Sequence, residues 1–160
     1  MRAARYYGRG KIQIDNIPEP DVAPGTVGID VAWCGICGTD LHEYLEGPIF
    51  CPQPGEIHPA SGESLPVTLG HEFSGIVYAV GAGVDDIAPG QRVVVEPYIV
   101  RDDVDTGPES TDYHLSEGVG VIGLSGRGGG LGEKIAVERR WVHPIPNSVS
   151  LDHAALVEPL

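Results

Sequence analysis

Apolar and polar positions alternate with a period of two over several short stretches, and turn-forming residues separate them. Arg2 to Tyr7 and Lys11 to Ile17 read as two strands around the turn Gly8-Arg9-Gly10, with Ile12 and Ile14 spaced as on a half-buried strand. Pro18, Pro20, Pro24 and Gly25 punctuate the loop that follows. From Thr26 to Trp33, Val27, Ile29 and Val31 fall on one face of a strand that delivers Cys34 and Cys37 to its end. Gly35 and Gly38 permit a tight backbone there. Thr39 is the expected N-cap of a short helix running from Asp40 to Glu46 and closed by Gly47-Pro48. On that helix Thr39 and His42, three apart, share a face.

The stretch from Pro48 to Pro66 holds five prolines and no period, which predicts a long loop over a pocket. Phe73 to Val80, Gln91 to Pro97 and Glu133 to Val137 read as strands. Gly81-Ala82-Gly83 and Pro89-Gly90 mark turns, residues 101–118 form an acidic, turn-rich lobe, and Gly126 to Gly132 is a glycine stretch. Ser150 caps a final helix through Glu158, with Leu151, Ala154, Ala155 and Leu156 as its apolar stripe. The stripe breaks off at Pro159-Leu160, so the chain is expected to end at a junction. No internal repeat is evident. The expected fold is mainly β.

Composition supports that expectation. The 23 Gly and 14 Pro among 160 residues argue for turns rather than helices, and 41% hydrophobic residues suffice for a core of one domain, or one and a fragment. No apolar run approaches the ~18 residues of a membrane span, and the N-terminus lacks the apolar centre of a signal peptide. Three cysteines, an odd number, make no disulfide framework, which points to a reducing cytoplasm. The net charge of −13 excludes nucleic acid as a partner. It fits either an ordinary soluble acidic surface or a halophile's cytoplasm, where salt screens self-repulsion.

Chemistry concentrates in two places. The first is Cys34-Gly-Ile-Cys37 with Thr39 and His42, and the second, about thirty residues later, is Gly70-His71-Glu72. A lone His beside an apolar strand is more often structural than a ligand. Here Cys37, His71 and a carboxylate, Glu72 or Glu158, stand together as a mixed sulfur, nitrogen and oxygen set. Three such ligands with a fourth position open suit one catalytic zinc. Cys34 and Cys37 also have the spacing of a thiol–disulfide motif, but no βαβ setting follows and Ile36 replaces the usual proline. Cys34 reads instead as a buried small residue and Cys51 as a loop or pocket residue. His58, His114, His143 and His153 read as solvated. Gly118, Gly120 and Gly123 fit the dinucleotide pattern, with Glu138 twenty residues beyond the first. The glycines that follow cannot start the helix this pattern requires, so no cofactor-binding residue is assigned.

Cys34-Gly-Ile-Cys-Gly-Thr-Asp-Leu-His42, Gly70-His-Glu-Phe-Ser-Gly75, Pro89-Gly-Gln-Arg-Val-Val94 and Ala155-Leu-Val-Glu-Pro-Leu160 together resemble the zinc-dependent medium-chain alcohol dehydrogenases. The likeness is greatest to their polyol branch, the sorbitol and 2,3-butanediol dehydrogenases, and Leu41 to Phe50 is especially like the latter. The resemblance implies a GroES-like β-barrel catalytic domain over residues 1–150, with 151–160 starting the helix that joins a missing Rossmann domain. It implies a catalytic zinc on Cys37 and His71, with Glu72 or Glu158 as carboxylate ligand. Thr39 would hydrogen-bond the substrate oxygen, His42 would pass its proton toward solvent, and Asp40 would orient His71. The substrate would be a small alcohol or diol, in a pocket near Tyr44, Ile49 and Phe50.

Many members have four cysteines for a structural zinc in the lobe corresponding to Arg101–Ser116; none stands there, so no structural zinc is expected. NAD(P) would bind only with the missing Rossmann domain, and the chain alone is expected to be inactive. Members commonly associate through that missing part, which leaves a homo-oligomer open. Two other readings stand beside this one: a free-standing GroES-like metal-binding or assembly module, and a thiol–disulfide oxidoreductase using Cys34 and Cys37.

Overall fold

The structure, a computed structural model, describes residues 1–101, 112–116 and 118–160. Among the described residues, ten strands and two short α-helices follow in the order β1 (Arg2–Gly8), β2 (Lys11–Asn16), β3 (Thr26–Cys34), α1 (Gly38–Glu46), β4 (Val67–Thr68), β5 (Phe73–Val80), β6 (Arg92–Val95), β7 (Tyr98–Ile99), β8 (Gly120–Val121), β9 (Lys134–Glu138), β10 (Val142–Pro144) and α2 (Leu151–Ala154). The mainly β expectation holds. Strand pairs are antiparallel throughout, in sheets ordered β2-β1-β4, β10-β6-β5-β3-β9 and β7-β8.

Alternation decides which residues enter the core. In the five-stranded sheet, Val27 and Ile29 of β3, Val77 of β5, Val93 and Val95 of β6, Ile135 and Val137 of β9, and Val142 of β10 pack into one cluster. A second cluster, with Tyr6, Val67, Leu69 and Leu124, lies under β1 and β4. Backbone bonds tie β1 to the turn before β9 and prolong its pairing with β4, with Ala4 N–H donating to the Leu131 carbonyl and Leu69 N–H to the Ala4 carbonyl. Cys51 is a loop residue, as expected, whose side chain is buried in the second cluster at 3% exposure.

Four expectations are corrected. Ile12 and Ile14 alternate as predicted but remain exposed, because β2 is an edge strand that pairs only with β1 and has no layer over it. The helix cap is Cys37, not Thr39: α1 starts at Gly38, and the Cys37 N–H donates to Oδ2 of Asp40 at 3.0 Å. The final helix stops at Ala154. Beyond it the bonds tighten to three-residue spacing, from Leu156 N–H to His153 and from Val157 N–H to Ala154, and Leu156 faces solvent. Pro159 disfavours helical backbone at Glu158, and a helix this short gains little from propagation. Cys34, expected to be buried, is half-buried at the end of β3.

Pro48 to Pro66 carries no strand or helix, as its prolines predict. Gly120–Val121 pairs with β7 and is followed by turns rather than a helix, which removes the setting a dinucleotide pattern needs. The acidic lobe and most of the Arg101–Ser116 segment lie outside the described residues.

Candidate metal centre

The pairing of β3 with β5 builds the site. Cys34 at the end of β3 lies opposite Phe73 at the start of β5, so the segment carrying Cys37 runs alongside His71 and Glu72. The Gly35 N–H donates to the Glu72 carbonyl at 2.7 Å and ties the two segments together. A Cβ on Gly35 would sit 2.3 Å from Oε2 of Glu72, so glycine is what lets the carboxylate approach. Gly70, with φ of 95°, turns the chain immediately before His71.

One donor atom each from Cys37, His71 and Glu72 lie within 4.8 Å of one another. His71 and Glu72 are buried, at 5% and 6% exposure, while Cys37 is half-buried. A zinc ion bound at ~2.0–2.3 Å by sulfur, nitrogen and oxygen fits a donor triangle of that size. Asp40 projects from α1 behind the imidazole, with Oδ1 3.7 Å from Nδ1 of His71. Both atoms are buried and lack a hydrogen-bond partner. An imidazole oriented from one nitrogen by a carboxylate, with the other nitrogen free for a metal, accounts for that pairing. The donor set fits the ion.

Electrostatics reinforce the picture. Burial pushes the Asp40 carboxyl above its usual range and the Glu72 charge adds to this, opposed by His71 and by the backbone N–H groups of Cys37 and Gly70. Burial likewise pushes the Cys34 thiol up to about 12, with Asp40 and Glu72 adding to the shift. A reactive redox thiol needs the opposite shift, so the thiol–disulfide reading is not favoured. Glu158 stands on an exposed stretch and is not among the three clustered donors. It is nonetheless near: partial desolvation raises its carboxyl, His71 lowers it, and Glu72 and Asp40 raise it further.

The Cys37 thiol reaches Oγ1 of half-buried Thr39 at 3.5 Å, and His42 stands three residues on, exposed to solvent. Tyr44, Ile49 and Phe50 are all exposed, at 37%, 58% and 50%. A cleft of about 420 Å³ is lined by Phe73, Val95, Tyr98, Val157 and Glu158, among others. Of the histidines read as solvated, His114 and His153 are exposed. His58 is half-buried, and burial lowers its pKa. His143 faces Glu96 at 3.3 Å on that cleft.

Sequence reasoning also passed over Glu43. It is fully buried, and its carboxylate accepts the N–H groups of Ile49, Phe50 and Cys51 at 2.6–3.3 Å. Its position three residues after Asp40, on the same helical face, was the available signal.

Comparison with known proteins bears on this geometry. The sequence model of the family described as alcohol dehydrogenase GroES-like domain matches residues 23–147. An (R,R)-butanediol dehydrogenase of Neisseria gonorrhoeae is 71% identical over 160 residues, covering 100% of this chain and 45% of that protein. The sorbitol dehydrogenase of Gallus gallus is 32% identical, covering 99% and 42%. The X-ray structure of 2R,3R-butanediol dehydrogenase from Bacillus subtilis superposes with a TM-score of 0.91 at 47% identity, covering 99% of this chain and 44% of that one. The chain therefore spans less than half the length of these relatives.

Proposed function

We propose, for a chain that belongs to the alcohol dehydrogenase GroES-like domain family, that it forms the zinc-holding, alcohol-binding part of a nicotinamide-linked diol dehydrogenase. Residues 1–150 are the catalytic domain in this reading, and 151–160 begin the connection to a nucleotide-binding domain. The convergence of Cys37, His71 and Glu72 is the observation that carries it. Those three would hold one zinc, with Glu158 at the rim; the segment Arg101–Ser116 has no cysteine, so no structural zinc is proposed. When bound, zinc supplies Lewis acidity toward an alcohol oxygen and lowers its pKa.

The chain's own residues carry the rest. Asp40 holds the His71 ring in one orientation. Thr39, adjacent to the Cys37 sulfur, accepts a hydrogen bond from the alcohol hydroxyl and takes up its proton. His42, on the same helical face and open to water, passes that proton to solvent. A nicotinamide cofactor, where a further domain holds one, would supply the hydride acceptor; residues 1–160 are expected to bind zinc and alcohol. A cytoplasmic setting accords with three cysteines and no disulfide. Among the described residues no helix is long and apolar enough to cross a membrane.

Elemental analysis tests the reading together with cobalt(II) substitution. The expected result is about one metal per chain with a sulfur-to-cobalt absorption band, both abolished by Cys37→Ser. Glu72→Gln is expected to weaken metal binding by more than the roughly 10–100-fold typical of outer-shell changes, and Glu158→Gln by less. Failure of the wild-type chain to retain either metal would overturn the proposal.

A further inference from the structure

Strand β2 leaves a ladder of backbone groups open to solvent. Met1 and Ile17 exchange both of their bonds, the Met1 ammonium donating to the Ile17 carbonyl at 2.8 Å and the Ile17 N–H to the Met1 carbonyl at 2.9 Å. Bonded and non-bonded pairs alternate along an antiparallel ladder, and the register sets Asp15 opposite Ala3 and Gln13 opposite Arg5. Odd-numbered residues of β2 therefore bond to β1, while the N–H and carbonyl groups of Ile12 and Ile14 point outward. Among the described residues no strand pairs with that edge. Ile12 and Ile14 are themselves 39% and 69% exposed, and an open edge beside exposed apolar side chains is a template for another strand.

The strand also matches itself. Lys11-Ile12-Gln13-Ile14-Asp15, laid antiparallel on a second copy with Gln13 on the two-fold axis, sets Ile12 opposite Ile14 and Lys11 opposite Asp15, each twice. This register brings outward-facing Ile12 against outward-facing Ile14, so the two pairs exchange about four backbone hydrogen bonds. Residues directly opposite share a face of the sheet, so the isoleucines pack on one face and the ion pairs form on the other. A shift by two residues breaks the match: Ile12 meets Asn16 in one direction, and Ile14 meets Gly10 in the other. Contacts within the chain already steady the charged residues, with Lys11 Nζ 5.0 Å from the Tyr7 ring centroid and the Tyr7 hydroxyl donating to Asp15 at 2.6 Å. Residues 1–17 hold the cations Arg2, Arg5, Arg9 and Lys11 against Asp15 alone, so the acids behind the net charge of −13 lie elsewhere. A cationic hairpin thus approaches an anionic partner.

We infer that β2 pairs with β2 of a second copy across a two-fold axis at Gln13, joining the β2-β1-β4 sheets of both into one continuous sheet. Each chain offers this edge once, so association through it stops at the dimer. The contact is smaller than a standard interface of about 1,600 Å², which makes the dimer weak and concentration-dependent. It uses no residue of the candidate metal centre and is independent of the zinc reading.

Sedimentation equilibrium of the chain between about 0.01 and about 1 mM tests it. The wild-type chain is expected to pass from monomer to dimer over that range. Lys11→Asp sets two carboxylates opposite each other, and Asp15→Lys sets two ammonium groups, so each variant alone is expected to stay monomeric. An equimolar mixture of the two restores opposite charges at both positions and is expected to return the dimer. Should either variant fail to fold, as read by circular dichroism, Ile14→Pro decides. It removes an N–H that points away from β1 and is expected to keep the fold and lose the dimer. A wild-type chain that stays monomeric at about 1 mM, a dimer that survives any of these single exchanges, or a mixture that stays monomeric overturns the inference.

Discussion

A carboxylate with three backbone N–H groups pointed at it organises the loop after α1, the helix that carries Asp40 to the candidate metal centre. Glu43 has no exposed surface, yet it anchors Ile49, Phe50 and Cys51, while Oγ of Ser125 donates to the Phe50 carbonyl from the other side. Exchange to glutamine removes the charge from these bonds and puts an amide donor among donors. Glu43→Gln is expected to lower stability by about 1–3 kcal/mol in urea unfolding, the cost of unsatisfied buried polar groups. The glycines make a sharper contrast. Gly35→Ala drives a methyl into the Glu72 carboxylate and is expected to weaken metal binding as read by cobalt titration. Gly38→Ala, with nothing within 4 Å of the added carbon, keeps the site and gains helix propensity of up to ~1 kcal/mol.

Among the elements, α1 has two tasks. Its inward face carries Asp40 toward His71 and Glu43 toward the loop at 49–51, so one helix orients both a candidate ligand and the chain beside it. The β3–β5 pair sets the distance between the two halves of the site, and its position at the centre of the five-stranded sheet fixes that distance. Central and edge strands should therefore differ in tolerance. Ile29→Ala, at 0% exposure in β3, is expected to cost about 2–5 kcal/mol. Ile14→Thr, at 69% exposure in β2, should stay within about 0.5 kcal/mol by the same denaturation measurement.

Charge acts on the whole molecule. With net −13 spread over 160 residues, self-repulsion opposes compaction, and scattered ion pairs such as Arg139–Asp86 and Arg2–Glu133 offset only part of it. Raising KCl from about 0.1 to about 3 M is expected to raise the thermal unfolding midpoint, because screening weakens repulsion more than it weakens these few attractions. A flat response would remove the case for a salt-adapted protein.

Strand identity, the loop at 48–66 and the candidate ligands were written in the sequence, because period-two alternation, proline and the rarity of adjacent sulfur, imidazole and carboxylate groups are local properties. So were the turns after Gly123, where successive glycines deny a helix its start. Only the tertiary structure shows which side chains cluster: Glu72, just before β5, lies with Cys37 and His71, whereas Glu158 follows a helix that ends four residues earlier and is outside that cluster. The same holds for Ile14, Glu43 and the Glu96–His143 pair: whether an edge is covered, a carboxylate is buried or two side chains 47 residues apart meet depends on which strands become neighbours. That is a property of long-range packing, and no window along the chain contains it.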